Sequence, residues 1–289
     1  MNTPAWQQVN IAFPDWTSAE HTALADLAPL LFAAENEAAI TAWFHIRKRP
    51  CWRLRYLPSG GTQPPIGRKL DALTAAGHIT GWTSVVYEPE VHAFGGTEAM
   101  ESAHRLFHHD SRSLLTYLRD DDQAAGGHRR EISLLLCSAL IREAGLDFYE
   151  QGDVWARVAA HRPVPTGWRS TVRQRTAVQR LITVDTDGQA RANGLLARTA
   201  GWARAYTDAG QELNNLAVSG TLHRGLRDVL AHHVIFAWNR LGLPYAAQAS
   251  LAATAKDVVF GPDPTHHDGD TAASAGPATA VPDPAQPRR

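Results

Sequence analysis

The sequence has little cysteine, almost no net charge and no long hydrophobic run. Its two cysteines, Cys51 and Cys137, are far apart, which predicts neither a disulfide framework nor a zinc knuckle. A net charge of −1 gives no general electrostatic case for nucleic-acid binding. The longest apolar run, 134–141, is far shorter than the roughly 18 residues of a membrane span. Residues 1–16 lack the basic and apolar regions of a signal peptide, so we expect a cytoplasmic protein.

Alternating and helical hydrophobic patterns predict the element order β-α-β-β-α-β at the start of the chain. Strands are predicted at 5–13, in a hairpin at 40–57 and at 78–90, with helices at 19–37 and 66–77. Pro29 inside the first helix predicts a kink. This order is typical of a ferredoxin-like antiparallel sheet with both helices on one face. We therefore predict an α+β protein with a sheet half at residues 1–96.

The rest of the chain is predicted to be helical. The expected helices are 97–120, 129–145, 147–161, 168–184, 189–209, 211–219, 221–243 and 245–259. We expect residues 97–260 to form a helical half that covers the sheet, and the two halves to form one compact domain. Residues 261–289 are rich in Pro, Ala, Gly and Asp without apolar periodicity, which predicts a disordered tail.

The predicted hairpin carries a row of arginines across its strands, formed by Arg47, Arg53 and Arg55. Alternation places Arg47 with Trp43 and His45 on one face of its strand, and Arg53 and Arg55 together on one face of the next strand. An arginine on a sheet face costs free energy unless it meets an anion or a carboxylate. Two interpretations remain open here, a solvated face and an anion-binding row.

Three further clusters contain polar groups suited to chemistry. They are Tyr87, Glu88, Glu90 and His92 before the Gly95-Gly96 turn; His108, His109, Asp110 and Ser111; and His232 and His233 with Asn239 and Arg240. In the last cluster, a spacing of seven places His232 with Asn239 and His233 with Arg240 on neighbouring helix faces. The apolar surroundings predict a buried helix. Each histidine is therefore either a core residue or a proton-transfer group.

Motifs for metals and cofactors are weak. His104 and His108 lie four residues apart and Asp110 follows, but no glutamate completes an HExxH motif. GxSxG, P-loop and GxGxxG patterns are absent. We predict no metal site and no cofactor, and a cationic sheet face suited to an anionic ligand.

Four stretches together resemble a known family. They are WQQVNIAFPDW, WFHIRKRPCWRLRY, YEPEVHAFGGTEAMESAHRLFHHDSRSLL and LAHHVIFAWNRLGL. They resemble stand-alone thiopeptide-type bacteriocin biosynthesis proteins, which are similar to the C-terminal elimination domain of class I lanthipeptide dehydratases. The resemblance spans about residues 5–258.

The resemblance implies a lyase that modifies ribosomally made peptides. A separate subunit attaches glutamate from glutamyl-tRNA to Ser or Thr of a precursor peptide, and the elimination domain removes it to leave dehydroalanine or dehydrobutyrine. We therefore expect the precursor peptide and the glutamylating subunit as partners, and no direct tRNA contact. The oligomeric state stays open, with a homodimer as one option. The alternatives are a pyridine-forming cycloaddition enzyme and a non-catalytic partner that binds the leader peptide as an added edge strand.

The resemblance also implies residue roles. The catalytic candidates are Arg47, His232 and His233, and the substrate-binding candidates are Arg53, Arg55, Glu90, His92, Asn239 and Arg240. Ala93 stands where the dehydratases carry arginine, and Ile235 stands where they carry histidine. These departures make His92 and His232 the candidates for the missing polar groups.

Overall fold

The computed structural model describes residues 5–60, 66–120, 128–184 and 200–261. The strands are β1 (Gln7–Ala12), β2 (Ile40–Lys48), β3 (Cys51–Pro58) and β4 (Gly81–Val85). The helices are α1 (Ala19–Thr22), α2 (Ala28–Asn36), α3 (Ile66–Ala75), α4 (Thr97–Asp120), α5 (Arg129–Glu143), α6 (Phe148–His161), α7 (Val172–Thr183), α8 (Ala200–Val218), α9 (Leu226–Leu241) and α10 (Tyr245–Phe260). The predicted tail beyond Gly261 lies outside the described residues. In the described part of the chain, we find no helix that combines the length and hydropathy of a membrane span.

The strands form one antiparallel sheet in the order β2-β3-β1-β4, so the predicted mixture of helices with an antiparallel sheet is confirmed. The register places Arg55 opposite Gln8 of β1 and Phe44 of β2. Arg53 lies opposite Ile46, on the same face as Arg55. The register therefore fixes which side chains of the hairpin share a surface.

The first helical segment is interrupted where the sequence predicts a kink. A π-helical turn, Ala23–Leu27, separates α1 from α2, and Pro29 lies in the first turn of α2. Proline has no N–H and is tolerated in a first helical turn. The interruption therefore lets the chain continue as a helix past Pro29.

Several predicted boundaries are wrong, and two of them have a clear physical reason. The last strand ends at Val85 instead of residue 90, because the β1–β4 pairing ends at Gln8 and Val85. The expected break between two helices at residue 210 does not exist, since α8 continues through Gly210. A Cβ atom there would collide with the backbone carbonyl of Leu140 in α5. Gly210 therefore permits close helix packing and does not end a helix.

Three buried clusters position the candidate site. Helices α4 to α10 enclose the largest one, and α1, α2 and α3 pack on the sheet face that carries Trp52 and Leu54. On the opposite face, Phe44 and Ile46 pack against Phe94 and Phe107. This aromatic cluster covers the β2 end of that face, and the arginines of β3 lie beside it.

Candidate functional site

Arg53 and Arg55 share the sheet face that β3 presents away from α1 and α2. Arg55 is 8% exposed, and its Nε donates a hydrogen bond to Oε1 of Gln8 at 2.7 Å. Its guanidinium lies 4.6 Å from the ring centre of Tyr87. Among the described residues, neither arginine has a carboxylate within salt-bridge distance. Both arginines can therefore receive an anion.

Burial lowers the pKa of Arg55, and the neighbouring Arg53 lowers it further. Both effects arise because two guanidinium groups share a partly desolvated surface. A bound anion would offset the repulsion between them. The electrostatics of this surface are therefore suited to a carboxylate or a similar anion.

Glu90 and His232 form a hydrogen-bonded pair next to Arg55. The loop after β4 carries Glu90, and α9 carries His232, whose Nε2 lies 3.0 Å from Oε2 of Glu90. The pKa of Glu90 is lowered, first by the hydrogen bond from His232 and also by the positive charge of Arg55. A charged Glu90 favours the tautomer with the proton on Nε2, which leaves Nδ1 of His232 as an acceptor.

Several residues that the sequence prediction did not assign to the site complete this surface. Tyr87 lies between Arg55 and His104, and its hydroxyl is 2.8 Å from Nε2 of His104. Burial raises the pKa of Tyr87 to about 12 and lowers that of His104 to about 4. Gln8 is identifiable only from the strand register, because its spacing in sequence carries no functional signal.

His233 and Arg240 lie in the interior. His233 is 2% exposed, and neither of its ring nitrogens has a hydrogen-bond partner in the described structure. Its pKa is lowered to about 3, mainly by burial and also by the charge of Arg240. Arg240 is fully buried and pairs with Asp110, which also accepts a hydrogen bond from Trp202. In this conformation neither His233 nor Arg240 is accessible to a substrate.

Arg47 lies on the opposite side of the hairpin. It faces Trp52 across the strand pair, whereas Arg53 faces Ile46. The expected single row of Arg47, Arg53 and Arg55 is therefore wrong, because the register separates them onto two faces. Arg47 pairs with Glu20 instead.

Asn239 lies next to Arg47 and also outside the Arg55 surface. The two side chains line a cavity between the sheet and the end of α9. The predicted pairing of His232 with Asn239 on one helix face therefore does not bring them into one site. His232 contacts Glu90, and Asn239 accepts a hydrogen bond from Gln248.

The two departures from the dehydratase motifs have different surroundings. The carbonyl of Ala93 accepts a hydrogen bond from Nη1 of Arg224 at 3.1 Å, so a guanidinium lies beside the position that lacks an arginine side chain. His92 is exposed, and no side-chain hydrogen bond to it is found within the described ranges. Ile235 packs in the helical core.

The residues considered for metal binding have other partners. His104 contacts Tyr87, Asp110 binds Arg240 and Trp202, and Nδ1 of His108 lies 3.2 Å from the backbone nitrogen of Trp43. Over residues 5–60, 66–120, 128–184 and 200–261 there is no cluster of His, Cys, Asp and Glu that could hold a metal ion.

Comparisons with known proteins give one family match and similar solved structures. Residues 6–259 match the family described as lantibiotic biosynthesis dehydratase C-term. A search of curated proteins gives no match. The crystal structure of the tRNA-dependent lantibiotic dehydratase MibB from Microbispora sp. 107891 is similar with a TM-score of 0.65 and 19% identity. That match covers 90% of this chain and 28% of MibB, so the chain spans about a quarter of that enzyme.

A second solved structure is closer to this chain in length. The crystal structure of TsrL matches with a TM-score of 0.61 and 16% identity, over 89% of this chain and 94% of TsrL. At these identities both structures show the shared fold alone. Because the family match covers nearly all described residues, this chain belongs to the lantibiotic biosynthesis dehydratase C-terminal family.

Proposed function

We propose that this protein eliminates glutamate from glutamylated Ser or Thr residues of a ribosomally made precursor peptide. The observation that carries the proposal is the juxtaposition of Arg55, which lacks a carboxylate partner, with the Glu90–His232 pair. The family match supports a role in peptide dehydration. The substrate is a peptide that a separate dehydratase subunit has glutamylated. We place the reaction in the cytoplasm, and the protein itself would not contact tRNA.

The reaction needs a base, a stabiliser of negative charge and an anion clamp. The base removes the Cα proton of the glutamylated residue, and the electron pair of that C–H bond forms the Cα=Cβ double bond. The Cβ–O bond breaks as this double bond forms, and glutamate leaves with the electron pair of the Cβ–O bond on its carboxylate oxygen. Arg53 and Arg55 are suited to hold the carboxylate groups of the glutamyl unit, because guanidinium groups bind carboxylates in a bidentate manner.

We assign the base to His232 rather than to His233. His232 is partly exposed and has a carboxylate that orients its ring, whereas His233 is sealed in the interior. A carboxylate on one ring nitrogen keeps the other nitrogen available and stabilises the imidazolium that forms. His232 would therefore accept the proton on Nδ1.

Arg224 is our candidate for the charge that Ala93 cannot supply. Its side chain is partly exposed and is held by the carbonyl of Ala93 and by Asp228 at 4.0 Å. Its guanidinium therefore lies against the loop that carries Glu90. It could stabilise the enolate that develops when the Cα proton is removed.

The sheet supports this arrangement as a scaffold. We consider the β2-β3-β1-β4 order, with α1, α2 and α3 packed on one face, to be the ferredoxin-like arrangement. That arrangement leaves the other face for the site. We further propose that residues 1–96 and 97–260 act as one domain, because Glu90 and His232 come from the two halves.

A second candidate function rests on the outer edge of β4. Within the described ranges no strand pairs with that edge, whereas side chains of His108 and Ser111 in α4 bond the backbone along β2. An open edge can accept an extended peptide as an additional strand. The protein would then bind the leader peptide for another enzyme without catalysing a reaction.

Mass spectrometry of a synthetic peptide with a chemically O-glutamylated serine tests these functions. Incubation with the purified protein alone should release one glutamic acid per modified site. Retention of glutamate on a peptide that still binds would favour the leader-binding function. Loss of the leader segment from a peptide with two dehydroalanines would instead indicate ring formation.

Matched arginine variants test the proposed clamp. Arg53→Met should raise KM for the glutamylated peptide by about tenfold or more, the cost of losing a charge-assisted hydrogen bond. Arg105→Met is the control, because that exposed arginine pairs with Glu212 on another surface. Equal KM values for the two variants would contradict the clamp.

A further inference from the structure

A second cavity lies on the hairpin face opposite the proposed active site. It has a volume of about 470 Å³ and lies between the sheet half and the α9–α10 connection. The residues that line it include Trp16, Glu20, Arg47, Trp52, Asn239 and Tyr245. Its size is within the range of small-molecule sites.

This cavity is lined by hydrogen-bond donors that have no partner among the described residues. The Arg47 side chain is 8% exposed, and its Nε and Nη2 have no partner among the described residues. Oδ1 of Asn239 accepts from Gln248 at 3.2 Å, and no partner of the Asn239 NH₂ group is found in the described part of the chain. Buried donors without partners cost free energy, and a ligand with acceptor atoms would satisfy them.

The first turn of α10 adds further donors. Pro244 precedes this 16-residue helix and gives it no side-chain cap. The backbone N–H groups of Tyr245 and Ala246 make no hydrogen bond to any described residue. The free N–H groups and the helix dipole make such a terminus favourable for an anion.

The charges around the cavity also favour an anion. Glu20 is shared by Arg47 and Arg129, and Arg49 lines the cavity next to Asp15. These three arginines and two carboxylates leave an excess of one positive charge. A ligand with one negative charge would neutralise it.

The remaining walls are aromatic. Arg47 lies 4.5 Å from the ring centre of Trp52, and Arg49 lies 5.3 Å from that of Trp16. Tyr245 also lines the cavity. Such walls bind the apolar part of a ligand. The complementary ligand therefore has an anionic end and an apolar or aromatic body.

We propose that this cavity binds the carboxylate of an amino acid or of a peptide C-terminus, with its side chain against Trp16, Trp52 and Tyr245. The carboxylate lies between Arg47, the Asn239 amide and the first turn of α10. This site does not depend on the proposed elimination reaction, because it lies on the other face of the hairpin. In this proposal Arg47 and Asn239, which lie outside the Arg55 surface, bind the carboxylate of the ligand.

Isothermal titration calorimetry of the full chain tests the site with N-acetyl-L-tryptophan and with its neutral amide. The acid should bind, and the amide should bind at least tenfold more weakly. A peptide that ends in tryptophan, as acid and as amide, forms the second arm. Binding of the peptide acid alone assigns the site to a chain terminus, and equal binding of the two acids shows that one acylated residue is sufficient. Binding of free L-tryptophan with the same affinity would extend the site to free amino acids.

Variants locate the binding on the molecule. Arg47→Met and Tyr245→Ala should each weaken binding of the acid, the first by about tenfold or more. Tyr245→Ala is informative even if Arg47→Met fails to fold, because Tyr245 is 55% exposed. Arg105→Met, at an exposed arginine that pairs with Glu212 on another surface, should leave the affinity unchanged.

Three results would overturn the proposal. They are absence of binding at millimolar ligand, equal affinity for acid and amide, and binding that Arg53→Met removes while Arg47→Met preserves it. None of these results bears on elimination, which the glutamate-release assay reports separately. Loss of elimination with intact binding of the acid would reject the proposed function and retain this site.

Discussion

His232 and His233 are neighbours in α9, yet their surroundings differ in every respect that matters for proton transfer. His232 is partly exposed and hydrogen-bonds to the carboxylate of Glu90. His233 is buried against Phe94 and Phe107, without a hydrogen bond to any described residue. One step along the helix therefore moves an imidazole from a partly exposed surface to the core.

The roles proposed for the two histidines therefore depend on access and on an orienting partner, and not on residue type alone. Both rings also contact Phe94, so an aromatic neighbour does not separate them. The two rings differ in that only His232 has a carboxylate partner and partial exposure to solvent. Substitutions that remove these features one at a time test the contrast between the two histidines.

The largest expected effect is on catalysis. His232→Ala should lower the rate of glutamate release by about 10²- to 10⁴-fold, the usual contribution of a general base. Time courses of glutamate release, followed by mass spectrometry, measure this rate. If His232→Ala released glutamate at the wild-type rate, His232 would not be the base.

The second prediction concerns stability on the buried side. Asp110→Asn leaves the fully buried Arg240 without its carboxylate, which should cost about 3–5 kcal/mol of unfolding free energy. Urea denaturation measures this loss.

A surface pair provides the control for this prediction. Glu212→Gln breaks the exposed pair with Arg105 and should cost less than about 1 kcal/mol. Similar losses for Asp110→Asn and Glu212→Gln would mean that Arg240 is not a structural residue.

Local patterns in the sequence predicted part of this contrast. The spacing of seven between His233 and Arg240 places both on the buried face of α9, as the structure shows. Strand alternation placed Arg53 and Arg55 on one face for the same reason, since both periods are local properties of the backbone. The limits of α4 were also predictable from its apolar spacing and from the preceding Gly95-Gly96 turn.

Long-range pairing could not be predicted. Glu90 and His232 are 142 residues apart, and nothing local to either residue indicates the other. The grouping of Arg47 with Arg53 failed because the strand register, not the spacing along one strand, decides which faces coincide. The continuity of α8 through Gly210 could not be predicted, because a glycine that ends a helix and a glycine that permits close packing look the same in sequence.

The third prediction tests the orienting carboxylate. Glu90→Gln keeps the shape of the side chain but no longer favours a proton on Nε2 of His232. We expect the rate of glutamate release to fall by roughly 10- to 100-fold, the range found when the carboxylate partner of a metal-binding histidine is removed.

The neighbouring Glu88 offers a matched control for Glu90→Gln. Its side chain is exposed, and Glu88→Gln should leave the rate unchanged. If both variants kept the wild-type rate, the hydrogen bond to Glu90 would have no role in orienting His232.

The smallest effect at neutral pH is expected for His233→Leu. A buried imidazole without partners can be replaced by an apolar group of similar size at little cost, so unfolding free energy should change by less than about 1 kcal/mol. Glutamate release should also persist. Urea denaturation at pH 7 and the mass-spectrometric assay measure both quantities.

At lower pH the unfolding free energies of His233→Leu and the wild type should diverge. Burial lowers the pKa of His233 to about 3, against an ordinary value of 6.5 in the unfolded chain. Between these values the unfolded state binds a proton that the folded state excludes, so wild-type stability falls as the pH decreases from 6.5 toward 3. The slope reaches about 1.4 kcal/mol per pH unit for one such group.

His233→Leu removes this contribution to the pH dependence. Phe236→Leu is the control, because it changes a neighbouring ring and retains the contribution of His233. Equal pH slopes for wild type and His233→Leu would show that His233 is protonated in the folded protein, and the contrast with His232 would fail.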